Sequence, residues 1–425
     1  MGVGGEPLVV TAETLPSGLR LVSEAMPHVR SVTVGVWLTR GSRHEPDPES
    51  GIAHFVEHML FKGTESRSAQ QIAQEIDSIG GQMDAFTAKE YASYYIKVLD
   101  EHVPHALDVL GDMILHPAFT QDDILREQSV ILEEIKMVED APDDLVHEVF
   151  AQQCWPRHPL GRPILGSRET VSSFGSSHLR DYFGRTYLAP NLLVAAAGNL
   201  DHSKLRDLVS RCFADVPPGG PPGETQAPAL SAGVAYRQKD IEQSHLCLGT
   251  AAYHQAHEDR HALHVMNTIL GGSMSSRLFQ HIREDRGLAY AVFSSLSAYS
   301  DAGMMTVYAG CANERVSEVV DLSLVELRLL RDEPVPAVEL RRAKDHLKGS
   351  LMLNLESTSS RMSHLARQFI VFGRHFTLDE MLSAIERVTA EDVRRVAQDV
   401  FQERGLVATV VGPAATSPLA ADLRV

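Results

Sequence analysis

At 425 residues and 44% hydrophobic, the chain is long enough for roughly two or three domains with sizeable cores. Its 56 acidic against 39 basic residues give a net charge of −17, which argues against a nucleic-acid partner, whose phosphates would be repelled. No apolar stretch approaches the ~18 residues of a membrane helix, and Cys154, Cys212, Cys247 and Cys311 are too scattered for a disulfide scaffold or a cysteine-based zinc site, so no membrane partner is expected and a reducing compartment suits the chain.

The N-terminus, Met1 to Glu6, has neither a basic region nor an apolar run and does not read as a signal peptide; a cytoplasmic protein is expected. Val32 to Leu38 is rich in branched residues and reads as a strand. The loop from Pro46 to Gly51 leads into a helix that Ser50 can cap and Gly63 can stop. Inside it stands His54-Phe55-Val56-Glu57-His58. The two histidines are four apart, so they share a helix face, with Glu57 beside them. Two neutral imidazoles about 2.0–2.1 Å from a common point make half of a tetrahedral zinc site. Glu57 is then placed to take a proton from a water held by that metal. The alternative is accidental spacing among 20 histidines.

Ser68 opens a second helix with Gln71 as its capping-box partner, and Ile72, Ile76 and Ile79 form its buried stripe before Gly80-Gly81. Tyr91 to Leu99 is strand-like, and Val103, Leu107, Leu110 and Ile114 repeat with helical spacing. Thr120 caps a further helix, closed by Asp140-Ala-Pro142, whose Ile124, Ile131, Ile135 and Val138 face one way. On it Glu127 and Glu134 lie two turns apart, near one face and close to the buried isoleucines. Either a metal or an ordinary solvated face accounts for them, and a catalytic zinc site needs a third protein ligand.

Asp215 to Gly223 (Asp-Val-Pro-Pro-Gly-Gly-Pro-Pro-Gly) cannot be traversed by a helix or strand and reads as a linker. Leu193–Gly198 resembles Val407–Gly412, and Val34-Gly35 matches Leu248-Gly249, both at an offset of 214, which points to an internal duplication. At that offset Glu57 and His58 fall on Gly271 and Gly272, so the second half would keep the fold without the metal site.

His54-Phe-Val-Glu57-His58-Met-Leu-Phe-Lys-Gly-Thr64 resembles the zinc motif of the pitrilysin-type, insulinase-like metallopeptidases, the inverzincins. That family carries a third, glutamate ligand about 76 residues beyond the second histidine, and Glu134 stands there; a further glutamate seven before it matches Glu127. Gly80 to Glu90, including Asp84, Ala85 and Phe86, resembles the strand that runs beside the zinc and pairs with substrate backbone. Leu270–Phe279 and Ile282–Tyr290 resemble the second-half signatures. In size the chain is similar to the short bacterial members and the catalytic subunit of the mitochondrial processing peptidase.

The resemblance implies an α+β chain of two homologous α/β-sandwich domains, half of a clamshell. Residues 1–216 would hold the catalytic site, 217–232 the Pro/Gly-rich linker, and 233–425 a metal-free domain carrying Arg283 and Tyr290. It implies one zinc per chain on His54, His58 and Glu134, with Glu57 as general base toward the zinc-bound water and Glu127 holding an imidazole through its outer N–H. Arg283 and Tyr290 would bind substrate or oxyanion. Long family members have four such domains, so a closed chamber implies a homodimer in which this pair serves the partner's zinc. The implied activity is hydrolysis of peptides or unfolded polypeptide segments. The other reading is a non-catalytic zinc- or peptide-binding partner subunit; pure binding needs no base, so Glu57 discriminates. One departure stands out: where the family often has Asn, this chain has Asp84, which when ionised can only accept.

Overall fold

The computed structural model describes residues 9–220, 223, 225–413, 419 and 423–425. Met1 to Glu6 and Pro221-Pro222 of the expected linker lie outside the described residues.

Six strands, β1 Val9–Thr14, β2 Arg20–Ala25, β3 Ser31–Leu38, β4 Gln82–Thr87, β5 Ala92–Leu99 and β6 Leu192–Gly198, form one sheet in the order β1-β2-β6-β3-β5-β4. Side chains along a strand alternate between faces. In β3 this sends Val32, Val34 and Val36 to one core and Trp37 to another. The first core is closed by the helices α1 Ile52–Leu60, α2 Ala69–Ser78, α3 Val103–Leu115 and α4 Gln121–Asp140, which bury Phe55, Ile72, Ile76, Leu107, Leu110 and Ile131. Ser68 and Gln71 form the expected capping box of α2.

A second sheet contains β7 Gly233–Gln238, β8 Gln243–Ala252, β9 Ala289–Ala298, β10 Gly303–Ala312 and β11 Val407–Gly412, ordered β7-β11-β8-β10-β9. Its plan repeats β2-β6-β3-β5-β4. The β2/β6 and β7/β11 pairs are parallel, and the neighbours beyond them are antiparallel. The segments matched in sequence, β6 with β11 and β3 with β8, hold equivalent places. The chain is thus an α+β protein of two domains with the same strand plan.

The compact units depart from the expected division at residues 217–232. One comprises the chain up to Ile135, Pro163–Thr225 and Leu353–His375; the other comprises Lys136–Arg162, Gln226–Met352 and the chain from Phe376. Two helices explain the exchange. The helix α5, Pro142–Cys154, lays Val146, Phe150 and Cys154 on Cys247, Val407 and Val411 of the second sheet. The helix Thr358–Phe372 lays Met362, Leu365 and Ala366 on Trp37, Leu193 and Ala195 of the first. Trp37 Nε1 donates to Met362 Sδ at 3.1 Å, and the Thr33 and Thr358 hydroxyls lie 2.9 Å apart. Shifted by 214, α5 falls on 356–368, so the exchange is reciprocal. Each sheet needs a helix on both faces, and each takes one from the other half of the sequence. No helix among the described residues is long and apolar enough to cross a membrane.

Phe150→Ala is expected to cost the second unit about 3–5 kcal/mol in urea unfolding. A loss below about 1 kcal/mol would contradict the assignment of α5 to that unit.

Candidate active site

The residue that caps the start of α1 is Gly51, whose φ of 95° is left-handed. A Cβ there would also lie 2.6 Å from the Leu165 carbonyl oxygen. The expected cap, Ser50, is not used. Glu45 instead accepts the N–H groups of Gly51 and Ala53, both at 2.8 Å. A carboxylate at a helix N-terminus satisfies orphan donors and complements the helix dipole. With Phe55, Val56 and Met59 buried, α1 presents His54, Glu57 and His58 on its other side.

The two imidazole rings are 4.6 Å apart. His54 Nε2 lies 3.8 Å and His58 Nε2 3.6 Å from the same oxygen, Glu134 Oε2. Among the described residues no other trio of His, Cys, Asp or Glu converges in this way. Glu134 is brought there by α4. Seven residues earlier on that helix, buried Glu127 accepts a hydrogen bond from His58 Nδ1 at 3.0 Å, which leaves Nε2 of that ring facing Glu134. Lys62 Nζ holds the other Glu127 oxygen at 2.8 Å.

Burial, and then the neighbouring His58, push the His54 imidazole down to about 3, so it stays neutral with a lone pair to give. His54 Nδ1 is buried with no hydrogen-bond partner among the described residues. Burial raises the Glu57 carboxyl above the usual range, opposed by a short hydrogen bond donated by the Thr87 hydroxyl to Oε2. Two nitrogens and one oxygen around a single point, beside a separately held carboxylate, suit a borderline divalent ion.

Residues 20–168 match the family described as insulinase (peptidase family M16), and residues 173–347 match the peptidase M16 inactive domain. A Bacillus subtilis protein named as an uncharacterized zinc protease is 43% identical over 405 residues, covering 95% of this chain and 98% of its own. A Streptomyces coelicolor protein named in the same way is 42% identical over 412 residues, covering 95% and 90%. The chain belongs to the insulinase family, peptidase family M16.

Solved structures agree in fold. A protease from Helicobacter pylori superposes with a TM-score of 0.90 at 23% identity, over 96% of this chain and 100% of its own. A Pseudomonas fluorescens structure described as a peptidase M16 inactive domain gives 0.91 at 20%, over 97% and 100%. In this family member the expected second-half positions, Gly271 and Gly272, directly follow the helix Arg260–Leu270.

The remaining expected residues divide by strand parity. β4 is the edge of its sheet, and its Met83, Ala85 and Thr87 face the side that holds α1. Asp84 and Phe86, expected with Ala85 along the strand that pairs with substrate backbone, have their side chains on the opposite face. Asp84 accepts from the Tyr95 hydroxyl at 3.1 Å and from its neighbour Ala85 N–H at 2.8 Å. Phe86 packs edge-on against Trp37 at 5.6 Å. In the second unit, Arg283 lies in the last turn of a short π-helix, Phe279–Glu284, and its guanidinium stacks on Tyr290 at 5.3 Å and Phe279 at 4.8 Å. Tyr290 is 79% exposed.

Three residues at the site went unread in the sequence. Lys62 stands four beyond His58, the same spacing that linked the histidines. Thr87 shares the parity of Ala85. Glu45 gave no local signal, because it reaches its helix across a loop.

Glu45→Ala is expected to destabilise the first unit by about 1–2 kcal/mol in chemical denaturation. An unchanged midpoint would show that α1 does not need this cap.

Proposed function

We propose that the chain is a zinc-dependent endopeptidase that cleaves peptides or unfolded polypeptide segments. The observation that carries this reading is the convergence of His54, His58 and Glu134 beside Glu57. Ligands 2.0–2.1 Å from a tetrahedral ion stand about 3.3–3.4 Å apart. The distances to Glu134 of 3.8 and 3.6 Å need only a few tenths of an ångström of closure. The trio offers one site per chain, and the relatives named zinc proteases support the choice of metal.

Bound zinc would lower the pKa of a water toward 7 and polarise a carbonyl. The protein's own groups do the rest. His54, neutral through burial, offers Nε2; Glu127 takes the outer N–H of His58 so that its Nε2 faces inward. Glu57, held at Oε2 by Thr87, accepts the attacking water's proton at Oε1 and returns it to the leaving amine nitrogen. The edge of β4 around Ala85 can align an extended substrate backbone as an added strand.

Arg283 and Tyr290 supply donors for substrate or oxyanion, working in a homodimer from the partner chain across a closed chamber. Their mutual stacking and the exposure of Tyr290 favour this role over a core one. A reducing, cytoplasmic setting suits the four unpaired cysteines.

Incubation with an unfolded peptide tests the reading. The wild type should cleave and a chelator should stop it, whereas Glu57→Gln should keep one zinc per chain yet cleave about 10²–10⁴-fold more slowly. Unchanged cleavage would refute Glu57 as the base. No cleavage by zinc-loaded wild type would favour a peptide-capturing partner subunit. In sedimentation the active species should be a dimer; a fully active monomer would remove the partner role of Arg283 and Tyr290.

A further inference from the structure

The second unit contains a cavity of about 370 Å³, within the ~300–1,000 Å³ range of ligand pockets. Three carboxylates line it, Glu326, Glu333 and Glu339, against one guanidinium, Arg277, and one imidazole, His281. Glu326 projects from the helix Val316–Asp332 and is only 4% exposed. Its Oε1 accepts from His281 Nδ1 at 2.6 Å. Its Oε2 is buried with no hydrogen-bond partner among the described residues. The nearest guanidinium pairs with it only at long range and spends its hydrogen bonds elsewhere. Arg277 Nε and Nη2 donate to Glu339 at 2.9 and 2.8 Å, leaving Nη1 at 4.0 Å from Glu326 Oε2. The Ser276 hydroxyl, on the cavity wall, is likewise buried and unpartnered.

A buried carboxylate oxygen without a donor is costly, and the carboxylates around it outnumber the cations. A donor that brings a positive charge relieves both. Among the described residues no third metal-type ligand converges here, so a bare ion is a poor match. Leu329, Pro334 and Pro336 add an apolar wall, which suits a charged group carried on methylenes.

We propose that this cavity binds the guanidinium or ammonium tip of an arginine or lysine side chain in a peptide substrate, with Glu326 as its buried acceptor and Glu333 at its rim. The peptide as source rests on the endopeptidase reading; the cation recognition does not.

Binding is measured by fluorescence anisotropy on the full chain with chelator present, so that cleavage plays no part. The probes are a labelled, otherwise neutral peptide with one arginine and its citrulline counterpart. The arginine peptide should bind about tenfold tighter or more. Glu326→Gln should remove the preference. Glu333→Gln, an exposed change that leaves the core intact, should reduce it. Equal binding of the two peptides, or a preference kept in both variants, would overturn the proposal. Displacement by putrescine at the peptide's own concentration would assign the cavity to free polyamines and overturn the peptide assignment. Failure of the endopeptidase reading alone would look different: the arginine preference would persist while zinc-loaded wild type cleaved nothing.

Discussion

The hydrogen bond from His58 Nδ1 to Glu127 decides where everything else at the site can be. It ties α1 to α4 through a half-buried imidazole and a buried carboxylate, and α4 then delivers Glu134 two turns later to the inward nitrogens of both imidazoles. A buried carboxylate would normally be a liability. Here Glu127 has two donors, His58 and Lys62, one per oxygen, so its charge is matched and its direction fixed. The same bond sets the His58 tautomer. A single contact therefore links the packing of two helices to the chemistry of a third side chain.

The wider fold supports this contact by symmetry of construction rather than by size. Each sheet is covered on one face by helices of its own half and on the other by a helix borrowed from the other half: Thr358–Phe372 for the first sheet, α5 for the second. The long helix α4 carries both Glu134 and the chain's passage to α5, so the site lies on an element whose two ends belong to different units. Duplication gave both halves the same strand plan. Only the first half has the imidazoles; the second has glycines after its corresponding helix and, further on, the carboxylate-lined cavity around Glu326.

What the sequence made legible follows from locality. The imidazoles and Glu57 are one helical turn, and Glu127 and Glu134 are two, so their shared faces could be read from spacing. The strands matched at an offset of 214 were legible because buried strands are continuous apolar runs. The helix exchange was not. A linker rich in proline and glycine marks where the chain is irregular, whereas unit membership is set by which sheet face an amphipathic helix covers. Likeness places the strand β4, but parity within it assigns each side chain to a face, so Asp84 and Phe86 lie opposite Ala85 and Thr87. Glu45 was hidden because its partners are backbone N–H groups reached across a loop.

The proposed activity depends on one divalent ion held by His54, His58 and Glu134. An anomalous-difference map at the zinc absorption edge, from crystals of purified protein, tests it most directly. A single strong peak per chain is expected, about 2.0–2.2 Å from both Nε2 atoms and a Glu134 oxygen, with Glu57 outside bonding distance. A map with no peak there, or a peak bound by Glu57 while Glu134 turns away, would contradict it.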